Sequence, residues 1–407
     1  MTQLSRRDVM QQVALAGAGF VLLPDLGWAA QGRGPQRASL RVGVEEAGRE
    51  LVPFDDIPEG FSTRRPGEFK LPGQATTGLD LRQLTSWKTA PDDMFVIAHY
   101  NVPTIDAARW QLRVDGLAGR PLTLTLDDLR RRPRVERTVT FECGGNRETV
   151  LNRMVSNATW VGCSLQDLLQ EARPADDVLE AIFWAADEGP ETIRGAQLTM
   201  RFARSMSLGD AMESGAILAY EVEGGPLPVV HGFPVRLIVP GWYGVSNVKW
   251  LNRIELTPRR FMGKFMGRDY VTIMGRQAGD RVEYTETSVT RILVKSMVAR
   301  VTRPSGGGAG AFQVFGVAYG DGTPIQRVEV QVDDGPWRPA KLDVAPRAGA
   351  NPHAWVFWTL DLDPLAPGAH TVASRATDRR GRSQPADLSL KKSNWENNAI
   401  WVRKIRV

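Results

Sequence analysis

Cysteine is nearly absent from this chain. Two occur in 407 residues, Cys143 and Cys163, with no CxxC, no CxxCH and no cysteine ladder. That spacing excludes covalently attached c-type haem, iron–sulfur clusters and zinc ribbons held by the chain itself. A single bridge between the two would do little for a chain this long. Charge of one sign is also scarce: 51 Lys and Arg stand against 46 Asp and Glu, a net +5. No basic block interleaved with aromatics appears, which argues against nucleic acid. The densest basic run, Arg130 to Arg134, reads as the solvated end of a short helix, with docking of an acidic partner as the alternative. No repeat of about 20–50 residues is visible.

What is present is an ordinary globular balance, 42% hydrophobic and 24% charged. The length exceeds what one core usually serves, so two domains are expected. Residues 1–30 read as an address. Ser5-Arg6-Arg7-Asp8-Val9-Met10 is a twin-arginine pattern, Val13 to Leu23 is apolar, and Gly27-Trp28-Ala29-Ala30 offers small residues for cleavage. That apolar run is well short of the ~20 residues of a membrane span. A periplasmic protein exported by the twin-arginine route, with no span in the mature chain, is expected. The route takes proteins that fold first, which hints at a cofactor inserted in the cytoplasm.

Along the chain, Leu51 to Gly73 is rich in Pro and Gly and reads as extended wrapping. Met94 to Ala98 is a short strand-like run, and Trp110, Leu112 and Val114 share one face of another. Thr125 and Ser164 each stand where a cap would start a short helix. Strands and short helices mix without a βαβ rhythm, which predicts an α+β catalytic domain over 31–290. Beyond residue 290 the helical periodicity vanishes. Val328, Val330 and Val332 alternate, Asp333-Asp334-Gly335 turns, and Ala354–Leu362 and His370–Thr377 read as strands. Residues 291–407 therefore predict an immunoglobulin-like β-sandwich, with Pro304 to Gly308 as a loop inside its first hairpin.

The most informative segment is Phe141-Glu142-Cys143-Gly144-Gly145-Asn146. A strand of β-branched residues delivers a cysteine into a tight glycine turn, where the backbone can approach another group closely. Asn146 can support the turn or donate to a ligand. A thiolate there suits a soft metal. The residues alone leave three readings: a metal ligand, a nucleophile paired with a histidine such as His231, or an inert core cysteine. A second segment carries His231-Gly232-Phe233-Pro234-Val235-Arg236 and then Asn247-Val248-Lys249-Trp250-Leu251. Arg236 offers a planar fork to a phosphate and Lys249 a point charge. The set could grip an anionic cofactor, or both could be strand-edge charges.

Taken in order, these runs resemble the sulfite oxidase family of molybdopterin oxidoreductases, over about residues 50–407. Arg327 to Val330, the Trp355–Trp358 strand, Arg375 to Asp378 and Gln384-Pro385 are similar to that family's C-terminal dimerisation domain. The resemblance implies a molybdenum–molybdopterin cofactor with Cys143 as the thiolate ligand to the metal. It implies Tyr220 beside the metal's oxo group, and a pterin and phosphate held by His99, Asp187, His231, Arg236, Asn247, Val248 and Lys249. It also implies a homodimer. With no haem motif in the chain, electrons must pass to a separate carrier such as a periplasmic cytochrome c.

The chain departs from the family's sulfite enzymes where they read the anion with arginines. Those positions correspond here to Ile97, Glu148 and Thr323. Losing a cationic fork removes charge-assisted bonds to a dianion, unless Arg147 or Arg153 compensates. Three functions therefore compete: a dehydrogenase or oxidase of sulfite or a related sulfur oxyanion, a reductase of a neutral S-oxide or N-oxide, and a non-catalytic binding protein with a relic site. Cys163, just ahead of a helix, reads as packed core rather than redox-active.

Overall fold

The computed structural model describes residues 48–57, 78–307, 310–343 and 351–407. The leader and most of the Leu51–Gly73 wrapping lie outside the described residues. What is described is mostly sheet with a few short helices. The two predicted caps form as expected. Thr125 closes a capping box with Asp128 on the helix Leu126–Arg130, and Ser164 accepts from the Asp167 N–H on Leu165–Ala172. Among the described residues, no helix is long and apolar enough to cross a membrane.

Two five-stranded sheets build the first region. One runs Arg236–Ile238, Ile217–Val222, Val155–Ser164, Val135–Glu142, with Gly225–Pro226 at its side. The other runs Leu122–Thr125, Gln111–Gly116, Leu251–Thr257, Glu180–Ile193, Ala196–Ser207. Only Gln111–Gly116 and Leu251–Thr257 pair in parallel within it; the remaining pairs are antiparallel. The expected strand at Met94–Ala98 does not form. The segment runs extended outside any sheet, and one of its carbonyls, that of Ile97, serves the Lys249 ammonium instead of a strand partner.

The second region is the predicted sandwich. Lys295–Pro304 and Phe312–Tyr319 form its first hairpin, extended by Val356–Leu362. Ile325–Val332, Ala369–Asp378 and Val402–Arg406 form the facing sheet. Val298, Val301, Val314, Val328, Val330, Val372 and Trp358 fill the space between them. Lys295–Pro304 is buried almost throughout, because its other face, with Met297 and Ala299, joins the core of the first region.

The domain boundary is not a single cut near 290. Arg49–Leu51 pairs with Lys295–Pro304, Phe54 bridges Ile405, and Arg403 pairs with Asp56 at 2.7 Å. Residues 49–56, which sequence places in the first domain, pack as an edge of the second. The reason is that Val52 and Phe54 need an apolar face, and the sandwich core provides it.

Candidate active site

The strand Val135–Glu142 ends one residue before Cys143. The Cys143 N–H donates to the Met154 carbonyl at 3.0 Å, and the chain turns back so that the Asn146 N–H reaches the Cys143 carbonyl at 2.9 Å. Asn146 is a strut of this turn. Its amide donates to Glu142 Oε1 (3.1 Å) and the Asn152 carbonyl (3.2 Å) while its oxygen accepts from the Met154 N–H (3.0 Å). The two glycines make room for neighbours. A Cβ at Gly145 would lie 3.1 Å from the Trp395 ring, and one at Gly144 the same distance from Val289.

Cys143 opens onto a cleft of about 720 Å³, its mouth included. His99, Asp187, His231, Arg236, Asn247 and Lys249 line the same cleft. These residues come from separate loops and strand ends, so only the tertiary fold unites them. Val248 is buried behind them, and its carbonyl accepts the Leu237 N–H at 2.8 Å. Asp187 enters through a break in the pairing of Glu180–Ile193 with Ala196–Ser207, between Trp184 and Glu188.

The electrostatics of the cleft are unusual for a protein interior. Arg236 is buried, donating to the carbonyls of His231 (3.0 Å) and Asn247 (2.9 Å), with its guanidinium over the Phe141 and Trp160 rings. No carboxylate among the described residues pairs with it, and its Nε has no hydrogen-bond partner. Burial lowers its pKa to about 9. Lys249 donates to the carbonyls of Ile97 (2.8 Å) and Val230 (3.0 Å) and lies over Trp250. Burial pushes Lys249 down and its neighbour Asp187 up, while Asp187 Oδ1 has no hydrogen-bond partner among the described residues. A buried cation without an anion is costly, and an anionic ligand removes that cost. Both histidines are neutral: burial, then the nearby cations, lowers each to about 3. Facing the Pro91 carbonyl, His231 Nε2 must donate its proton there at 3.0 Å, which leaves Nδ1 as the acceptor.

Tyr220 is not part of this cleft. Alternation along Ile217–Val222 sends Leu218 and Tyr220 into one core while Ile217 and Ala219 join the cluster of Phe141 and Trp160. The phenol therefore lies on the side of Cys163, and the tyrosine in the cleft is Tyr270. Its hydroxyl sits 2.7 Å from His99 Nε2, and its ring stacks on Trp395 at 4.3 Å. Burial, and then Cys143, raise its pKa well above the usual phenol value. In sequence Tyr270 carries only a faint signal, an aromatic after Arg268-Asp269 at the mouth of the hairpin Val271–Ala278/Arg281–Ser288. The stacking partner lies more than a hundred residues downstream, beyond any local pattern.

The positions that would read a dianion hold no free cation. Ile97 lends its carbonyl to Lys249, Glu148 accepts from Asn397 at 2.7 Å, and Thr323 accepts from Arg382 at 2.9 Å. Arg382 is itself held by Asp321 and Asp378. Neither Arg147 nor Arg153 lines the cleft. Burial pushes the Cys143 thiol up to about 11; the Gly145 N–H and Lys295 pull it down and Glu142 pushes it up.

A metal would find one protein thiolate here and little else. Among the described residues, no three His, Cys, Asp or Glu side chains gather around one point. The donor set fits a metal carried by an anionic, hydrogen-bond-rich organic chelate, with Cys143 completing its coordination and Arg236 and Lys249 facing its negative groups.

Comparison with known proteins agrees. Residues 99–265 match the family model of the oxidoreductase molybdopterin binding domain, and residues 285–407 that of the Mo-co oxidoreductase dimerisation domain. Sulfite oxidase of Gallus gallus is 33% identical over 323 residues, 74% of this chain and 68% of that protein. The mitochondrial sulfite oxidase of Macaca fascicularis is 32% identical over 326 residues, 74% of this chain and 58% of that longer protein. The crystal structure of the sulfane dehydrogenase SoxCD from Paracoccus pantotrophus shares the fold, with a TM-score of 0.69, 23% identity and coverage of 86% of this chain and 93% of that one.

Proposed function

This chain belongs to the sulfite oxidase family of molybdopterin-dependent oxidoreductases, and from that premise we propose that it is an exported, homodimeric dehydrogenase of a small sulfur compound. The observation that carries this reading is that Cys143 lines a cleft whose two buried cations, Arg236 and Lys249, have no carboxylate bonded to them among the described residues. When bound, the molybdenum cofactor supplies two-electron oxygen-atom transfer.

The chain's residues hold and orient. Arg236 and Lys249 would neutralise the cofactor's phosphate, and neutral His231 would offer its ring Nδ1 as an acceptor to the pterin. His99 holds the Tyr270 hydroxyl at 2.7 Å in the cleft that Cys143 also lines, where it would be available to orient a ligand or substrate of the bound cofactor. Trp395 stacks on the Tyr270 ring and would hold it in place. Ile97, Glu148 and Thr323 leave no free cation to read a dianion, so the sulfur substrate carries less charge than free sulfite or is read through a neutral group. Electrons leave to a separate periplasmic carrier of the cytochrome c type, since the two cysteines include no haem attachment motif. The Ser5-Arg6-Arg7 leader supports export by the twin-arginine route, and the 285–407 domain supports the dimer.

The test is elemental analysis of protein purified after native export, beside its Cys143→Ala variant. About one molybdenum per chain, lost or loosened in the variant, is expected. A folded, processed protein without molybdenum would overturn the reading and bring a non-catalytic binding role forward.

A further inference from the structure

The second domain does more than pair with another copy. Lys295, the first residue of its strand Lys295–Pro304, is 2% exposed and reaches across the domain boundary into the Cys143 turn. Its ammonium donates to Glu142 Oε1 at 2.7 Å and to Asn152 Oδ1 at 2.7 Å, with the Asn146 carbonyl at 3.5 Å. Glu142 Oε1 also accepts from the Asn146 amide, which closes the turn. One buried cation therefore joins the residue before the ligand to the strut after it. Tyr319, the cross-strand partner of Lys295, lies beside the same Glu142. From the other side the Glu396 N–H donates to the Gly144 carbonyl at 2.7 Å, and the Trp395 ring abuts Gly145.

A buried ammonium is a poor choice for packing alone, because an apolar side chain would avoid its desolvation. Its place beside Glu142 gives it another use. A Cys143 thiolate next to Glu142 puts two anions on one short turn, and Lys295 cancels one of them. The tethers also fix the direction from which the sulfur faces the cleft, as partners of a ligand's neighbours do in other metal sites.

Resting on the reading that Cys143 is the metal ligand, we propose that Lys295 is a positioning residue for that ligand: from the second domain it sets the orientation of the thiolate and the charge felt by the bound metal.

The experiment uses the full exported chain with Lys295→Met, Lys295→Arg and the double variant Glu142→Gln/Lys295→Met. Molybdenum per chain is measured, and in the loaded fraction the sulfur-to-metal absorption band and the metal's reduction potential. Lys295→Met is expected to lose about tenfold or more in cofactor retention. Its loaded fraction should show a displaced band and a lower potential, since removing a positive charge disfavours reduction. Lys295→Arg should recover most of the retention. The double variant should return the potential toward wild type because both charges are gone, while its band stays displaced because the tether to Asn152 is lost. A loaded Lys295→Met protein with wild-type band and potential would overturn the inference alone. If Lys295→Met does not fold, a double variant with an unmoved band does the same. Wild-type protein without molybdenum would sink the ligand reading itself, and this inference with it.

Discussion

Cys143 and Cys163 make an instructive pair. They lie at or just past the ends of neighbouring strands of one sheet, both are buried, and burial pushes both thiols to about 11. Cys163 lies inside its strand, opposite Leu218, and packs with the core of the helix Leu165–Ala172. Cys143 lies one residue past its strand, where the ladder stops and the chain turns along a cleft. Neither burial nor thiol acidity tells them apart. What does is the end of the strand, the buried cations across the cleft, and the struts that hold the turn. A buried cysteine becomes available to a ligand where the fold stops packing around it, which sets Cys143 apart from Cys163.

The sharpest way to break this comparison is to remove each sulfur. Cys143→Ala is expected to lose activity by at least about 100-fold together with its molybdenum, whereas Cys163→Ala keeps the metal. Equal metal loss in both variants would erase the distinction. Arg236→Met tests whether the opposite wall matters as much as the thiolate: cofactor retention should fall about 10- to 100-fold, read as molybdenum per chain. Within the cleft, Tyr270→Phe should lower kcat by about tenfold or more through loss of one oriented hydroxyl, with metal content unchanged. If Tyr220→Phe had the larger effect, the assignment of the tyrosine would be reversed.

On the core side of the comparison, Cys163→Ala should cost about 1 kcal/mol of stability, read as a lower denaturant midpoint. A drop confined to Cys143 variants would contradict the core role of Cys163. The smallest effect expected lies far from both cysteines. His370 is raised above its ordinary 6.5 by bonds to Asp333 (2.8 Å) and the Ala366 carbonyl. A raised histidine stabilises fully below its unfolded value and loses that contribution as pH climbs through the folded one. Stability should therefore fall by less than about 1 kcal/mol just above pH 6.5, and His370→Gln should flatten that slope in pH-resolved unfolding.

Much of this site is legible in the sequence because its parts are local. A strand running into Cys143-Gly144-Gly145-Asn146 is a turn wherever it occurs, and Thr125 and Ser164 cap helices for reasons contained within a few residues. The Val328–Val330–Val332 alternation likewise announces a sandwich strand. Arg236 and Lys249 are recognisable as cations on a Gly/Pro-rich path, but a strand-edge charge and a buried anion receptor look alike until burial is known.

Sequence by itself determined the capped short helices, the two-region architecture, the turn that carries Cys143, and the cations available to meet an anionic cofactor. Those rest on periodicity and turn chemistry, which act over a few residues. Tertiary structure alone decided which tyrosine faces the cleft, since strand alternation turned Tyr220 toward Cys163 and a distant stack with Trp395 placed Tyr270. It also decided that residues 49–56 join the second sandwich and that Lys295 braces the Cys143 turn of the first region. Such contacts are set by which apolar faces meet and which buried charges must find partners, and no local pattern in the chain records either.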